Sequence, residues 1–97
     1  MAISTEFIEL RNEPRISVQP TTICVEVEGP EGGADGTWEN GILVDRASRG
    51  AGLLLDRPYC PGRILRLLGL PGAGTHEAQV RWVRKTHSHY RVGVEFL

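Results

Sequence analysis

Lysine is almost absent from this chain, and the chain also lacks the net positive charge typical of many nucleic-acid-binding proteins. Of the eleven basic residues only Lys85 is a lysine, and the other ten are arginines. Arginine suits bidentate contacts with phosphates and purine edges, but a GC-rich genome would produce the same bias. The net charge of −1 gives no general attraction to nucleic acid or to an anionic membrane.

Long apolar runs and paired-cysteine motifs are absent as well. No apolar run approaches the roughly 18 residues that a membrane-spanning helix needs. No basic stretch followed by an apolar one opens the sequence, so no signal peptide is predicted. Cys24 and Cys60 lack C-x-x-C spacing and are expected to be reduced thiols. We therefore expect a cytoplasmic protein without membrane insertion.

Helix signals are scarce, and strand signals dominate the chain of 97 residues. The best helix candidate is the short stretch 4–10, and Pro14 prevents a helix from continuing beyond it. Glycine- and proline-rich breaks separate six extended segments, a rhythm typical of all-β sandwiches and barrels. The segments are residues 21–28, 37–45, 51–55, 63–70, 77–85 and 90–97.

Alternation within the segments predicts which faces are buried. Ile23, Val25 and Val27 alternate with polar residues, so one face of the first segment is expected to be buried and the other wet. In the second segment, Trp38, Ile42 and Val44 fall on one side. Small antiparallel sheets commonly close to remove their edges. The sequence thus predicts a six-stranded antiparallel β-barrel.

Two short motifs and a closing stretch stand in a fixed order along the chain. They are Arg11-Asn12-Glu13-Pro14-Arg15, then Asp45-Arg46-Ala47-Ser48-Arg49-Gly50, then a closing stretch of residues 78–83, which contains Trp82, and residues 90–96. In this combination they resemble a PilZ domain, the bacterial receptor module for cyclic di-GMP. The resemblance extends from about residue 10 to residue 97. No single motif is specific, but the ordered set is.

The resemblance implies a flexible N-terminal arm, residues 1–19, carrying the R-x-x-x-R motif, and a PilZ β-barrel, residues 20–97. Arg11 and Arg15 would clamp guanine and phosphate, since an arginine fork matches the O6 and N7 acceptors of guanine. Asp45 would accept hydrogen bonds from the N–H edge of the base. Gly50 would permit close approach of backbone, and Trp82 either stacks on the ligand or belongs to the barrel core or rim.

Ala47 departs from the family pattern, which has serine at that place. One lost hydrogen bond costs about 0.5–1.5 kcal/mol, so weaker binding is expected rather than none. Ser48 is not expected to substitute, because neighbouring residues in an extended stretch point to opposite sides. The departure keeps an alternative open, a degenerate PilZ adaptor that binds protein and not nucleotide.

Other function classes have weaker support. A barrel for single-stranded nucleic acid would need exposed aromatics and a basic groove, and the chain has six aromatic residues and a net negative charge. His87-x-His89 lacks any recognised metal spacing, and no nucleophile motif is present. We therefore expect no enzyme and no cofactor. The expectation is a receptor for cyclic di-GMP that signals to an effector protein of motility, pilus, polysaccharide synthesis or regulation.

Overall fold

The computed structural model describes residues 16–29, 34–72 and 74–97, which form a closed β-barrel. Every neighbouring pair of strands is antiparallel, and the order around the barrel is β1-β2-β3-β6-β5-β4. This confirms the predicted small six-stranded antiparallel barrel. The strands are β1 (Ile16–Glu28), β2 (Ala34–Ala47), β3 (Gly50–Leu55), β4 (Ile64–Leu70), β5 (Gly74–Lys85) and β6 (Tyr90–Phe96).

Aliphatic side chains from all six strands fill the interior of the barrel. Ile23, Val25 and Val27 are at most 2% exposed, as the alternation in the first segment predicts. Burying a valine or leucine completely contributes about 1.5–3 kcal/mol, so these alternating positions supply much of the driving force for closure. The fully buried residues with the largest side chains are Leu43, Leu53, Leu55, Leu65, Leu67, Val25, Val27, Val80, Val92 and Val94.

The side of β2 that carries Trp38, Ile42 and Val44 is its outer face. Trp38 is 58% exposed, whereas Leu43, on the opposite face, is buried. The inner face also carries Glu39 and Gly41, which are not apolar core residues by type. A tryptophan on the outer side and a glutamate on the inner side therefore make the core face of this strand hard to recognise from its sequence.

Glu39 is buried because the β3–β4 loop supplies its hydrogen bonds. Its carboxylate accepts one from the hydroxyl of Tyr59 and one from the backbone N–H of Asp56, the latter at 2.9 Å. Tyr59 is itself 7% exposed and packs on the core cluster. A buried carboxylate is tolerated when such partners replace water. This contact ties the β3–β4 loop to the inner face of β2.

Two β-bulges change which residues of β2 and β5 face outward. Leu43 pairs with Leu53, but the next pair joins Asp45 to Gly52, so β2 carries one extra residue. In β5 the register likewise shifts between residues 80 and 82, and Trp82 pairs with Gly93. Without these bulges strict alternation from the buried Leu43 would turn Asp45 toward the core, and the same holds for Trp82.

Four strands, β1, β2, β3 and β5, begin earlier than the predicted segments, whereas β4 and β6 are each one residue shorter. β1 begins at Ile16, so residues 16–19 of the predicted arm are strand, and the division of the chain at residue 19 stays a prediction. β2 begins at Ala34, within a stretch predicted as loop. The predicted helix 4–10 lies outside the described residues. Within the described ranges no helix is long and apolar enough to cross a bilayer.

Candidate ligand-binding face

A row of four residues crosses the outer surface of four adjacent strands. Asp45 of β2 pairs with Gly52 of β3, Gly52 with Gly93 of β6, and Gly93 with Trp82 of β5. Each glycine stands between two buried neighbours on its own strand, so both glycine positions face outward. The row thus places a carboxylate at one end and an indole at the other, with two residues lacking side chains between them.

Both end residues lie over the glycines. A Cβ on Gly52 would come within 2.6–2.9 Å of both oxygens and the Cγ of Asp45. A Cβ on Gly93 would come within 2.2 Å of Cε2 and Nε1 of the Trp82 indole. Real Cβ atoms do not make contacts this close. A side chain at either glycine would therefore force Asp45 or Trp82 to shift from its place above the backbone.

Arg91 of β6 holds the carboxylate of Asp45. Its Nη2 donates a hydrogen bond of 3.0 Å to Oδ2, and the two side chains are 36% and 19% exposed, respectively. Ion pairs with this degree of exposure contribute about 0.2–1 kcal/mol to stability, so the pair orients the carboxylate more than it stabilises the barrel. The sequence analysis missed Arg91, because no motif includes it and its partner is 46 positions away.

Trp82 is half-buried, and a second arginine lies against it. The guanidinium carbon of Arg84 is 5.4 Å from the centroid of the indole ring. An arginine at this distance from an aromatic face contributes about 0.5–1 kcal/mol at exposed sites. The indole therefore belongs to the outer surface and not to the barrel core.

The second motif is built differently from the extended stretch that the sequence suggested. Ala47 is half-buried, ends β2 and pairs with Gly50, while Ser48 and Arg49 form the turn between them. Alternation along a strand therefore says nothing about where Ser48 points. A Cβ on Gly50 would lie 2.3 Å from the carbonyl oxygen of Val94. Gly50 thus permits close approach of backbone, and the approaching backbone is that of β6.

The first described residues of β1 run beside the second motif. Ile16 pairs with Arg46, and Ser17 with Asp45. In the chain, Arg15 directly precedes Ile16. Arg15 and Arg11 themselves lie outside the described residues, so their predicted roles stay predictions.

Arg46, within the motif, is engaged in the fold. Its Nη1 donates a hydrogen bond of 2.8 Å to the carbonyl oxygen of Pro71. Its guanidinium carbon is 5.8 Å from the centroid of the Phe96 ring. Arg46 therefore ties the end of β2 to β6 and to the β4–β5 turn, and it is not counted among the residues of the outward row.

The groups on this face supply binding contacts of three kinds. The carboxylate accepts hydrogen bonds, the indole offers a flat surface for stacking, and the guanidinium groups attract anions. A planar heterocycle that carries N–H donors and a phosphate would use all three. Over the ranges that the structure describes, no three histidine, cysteine or acidic residues form a group that could hold a metal ion. The fold and this face define a small β-barrel with a surface suited to a nucleotide.

Comparison with solved structures shows the fold. No protein-family model matches the sequence, and no curated protein does. The barrel is similar to the crystal structure of YcgR from Escherichia coli in complex with c-di-GMP, with a TM-score of 0.63 and 20% identity over 90% of this chain. It is also similar to the structure of the K. pneumonia MrkH–c-di-GMP complex, with a TM-score of 0.58 and 17% identity over 90% of this chain.

The chain thus has a PilZ-type barrel fold, as the motif order predicted. It spans 38% of the YcgR chain and 44% of the MrkH chain. Both of these structures are complexes with cyclic di-GMP.

Proposed function

We propose that this chain is a receptor module that binds cyclic di-GMP without turning it over. The observation that carries the proposal is the outward row from Asp45 to Trp82, in a fold shared with two cyclic di-GMP complexes. The two bulges expose both end residues of this row, although strict alternation would have buried them. The row therefore combines a hydrogen-bond acceptor and a stacking surface on one accessible face.

Guanine matches the described part of the face. Its Watson–Crick edge carries N–H donors, and a carboxylate such as Asp45 accepts these with charge assistance. The base plane would stack on Trp82, and base–aromatic stacking contributes about 1–3 kcal/mol per base. On the same edge adenine has only its amino group as a donor, beside the N1 acceptor, so Asp45 would favour guanine over adenine.

The R-x-x-x-R motif would supply the remaining contacts. β1 enters the barrel beside Asp45, since Ser17 pairs with it, and Arg15 stands two residues earlier in the chain. In this proposal Arg15 and Arg11 contact the guanine acceptor edge and the phosphates. Binding would draw the N-terminal segment onto the barrel and change the surface offered to an effector protein. The partner is proposed as a protein of motility, pilus, polysaccharide synthesis or regulation.

A second candidate function rests on one residue. Ala47 brings a methyl group to the end of β2 where the family pattern has a hydroxyl. A PilZ-type adaptor that binds a protein and not a nucleotide would tolerate this change. The two candidates differ in whether the isolated chain binds cyclic di-GMP.

Tryptophan fluorescence gives a direct test of the site. The chain has two tryptophans, and Trp38 lies on the outer face of β2 in the pair with Glu26, far along the strand from Asp45. The variant Trp38→Phe therefore leaves Trp82 as the only tryptophan reporter. Titration with cyclic di-GMP should change its emission in a saturable way, and cyclic di-AMP should do so only at higher concentration. A flat titration with cyclic di-GMP would favour the adaptor.

A further inference from the structure

The carboxylate of Asp45 is held from two strands at once. Both of its oxygens and its Cγ lie at nearly equal distance, 2.6–2.9 Å, from the place where a Cβ of Gly52 would be. The carboxylate therefore lies flat against the backbone of β3. From β6, Nη2 of Arg91 donates to Oδ2 at 3.0 Å. The β3 backbone under the carboxylate and the hydrogen bond from Arg91 together restrict the position and the rotation of the carboxylate.

Arg91 does not by itself fill the acceptor sites of the carboxylate. A carboxylate has about four lone-pair sites, and Arg91 uses one of them through a single nitrogen. Its Nε is buried and has no hydrogen-bond partner among the described residues, so the pair is not a bidentate fork. A contact of this kind orients a carboxylate without occupying both oxygens.

We propose that Arg91 is a positioning residue for base recognition, acting through Asp45, with Gly52 as the surface on which the carboxylate rests. This inference rests on the proposed function, since it assigns the residues that orient the Asp45 carboxylate for binding guanine. Arg91 raises affinity for guanine because it holds Asp45 in the orientation that accepts the base N–H groups. It does so without touching the ligand.

A double-mutant cycle of Arg91→Met and Asp45→Asn tests the proposal by calorimetric titration of the whole chain. Arg91→Met alone should weaken cyclic di-GMP binding by about twofold to fivefold, the upper part of the range for a partly exposed ion pair. It should change the affinity for cyclic di-AMP much less. In the Asp45→Asn background, Arg91→Met should produce no further change. Arg91→Lys should restore part of the lost affinity.

Two further variants separate the effect of the orientation of Asp45 from the effect of losing one positive charge. Gly52→Ala removes no charge but places a Cβ where the carboxylate lies, and it should weaken cyclic di-GMP binding as Arg91→Met does. Arg66→Met removes one positive charge from β4, where Arg66 pairs with Glu26 and Glu77 at 3.5 and 3.8 Å. It should leave the affinity unchanged. Thermal melts identify any variant that does not fold. If Gly52→Ala does not fold, the double-mutant cycle of Arg91→Met and Asp45→Asn still tests the proposal.

The outcomes distinguish failure of the proposed role of Arg91 from failure of the proposed function. If Arg91→Met tightens binding, Arg91 competes with the ligand and the inference is wrong. It is also wrong if Arg91→Met has no effect, or weakens binding equally in the Asp45→Asn background, which would indicate direct contact with the ligand. If the unaltered chain binds no cyclic di-GMP, the proposed function fails and the inference fails with it.

Discussion

Asp45 and Trp82 face the same outer surface of the barrel because each follows a β-bulge. The bulge in β2 pairs Asp45 with Gly52, and the bulge in β5 pairs Trp82 with Gly93. In an uninterrupted ladder both side chains would point into a core of leucine and valine. Bulges commonly redirect a side chain next to a binding site, and here two of them turn side chains onto the same face.

Trp82→Leu should weaken cyclic di-GMP binding strongly. Loss of base–aromatic stacking costs about 1–3 kcal/mol, which is about fivefold to 150-fold in affinity. Calorimetric titration measures the change, and Trp38→Leu is the matched control because Trp38 lies on the outer face away from the row. Equal affinities for the two variants would show that the indole takes no part in binding.

Ala47→Ser should tighten cyclic di-GMP binding by about threefold to tenfold, the value of one hydrogen bond. Ala47 is half-buried and lies two residues after Asp45 with no bulge between them, so a hydroxyl at position 47 would be on the same face as Asp45. Titration of the two chains side by side measures the difference. An unchanged affinity would mean that position 47 does not meet the ligand.

Gly50→Ala should destabilise the barrel. The added Cβ would lie 2.3 Å from the carbonyl oxygen of Val94, and a backbone atom cannot move aside as a flexible side chain can. Overpacking of this kind costs about 1–3 kcal/mol, to be measured by urea denaturation. Full stability of the variant would show that β3 and β6 have room to separate at this pair.

Tyr59→Phe should lower stability without changing ligand affinity. The substitution removes a hydroxyl that donates to the buried Glu39, and an unsatisfied buried acceptor costs about 1–3 kcal/mol. Glu39 is six residues before Asp45 on β2, about 20 Å along an extended strand. Denaturation and titration on the same sample separate the two effects. A parallel loss of affinity would connect the β3–β4 loop to the binding face.

The sequence predicted the barrel because its signals are local. Alternating Ile23, Val25 and Val27 reveal a half-buried strand, and glycine- and proline-rich breaks mark the turns. The inner face of β2 could not be recognised, since the hydrogen bonds that allow Glu39 to be buried come from Asp56 and Tyr59, 17 and 20 positions away. When the hydrogen-bond partners of a buried polar side chain are distant in sequence, the strand itself shows no periodic pattern that marks the side chain as buried.

The sequence pointed to some residues of the candidate face and did not reveal its geometry. The motif order pointed to Asp45, Gly50 and Trp82, but a bulge adds one residue without any compositional mark, so the outward turn of Asp45 and Trp82 was not visible. Arg91 was missed for a different reason: it reaches Asp45 across β3, which pairs with both β2 and β6, and no motif records that long-range pairing. Arg11 and Arg15 were predicted from their motif, and their roles remain to be tested by experiment.

Calorimetric titration of the unaltered chain and of Asp45→Asn with cyclic di-GMP and cyclic di-AMP tests the central claim most directly. The account predicts that the unaltered chain binds cyclic di-GMP more tightly than cyclic di-AMP. It predicts further that Asp45→Asn loses much of this preference, because the amide cannot accept with the charge assistance of a carboxylate. Absence of binding heat with cyclic di-GMP, or equal weakening of both ligands by Asp45→Asn, would contradict it.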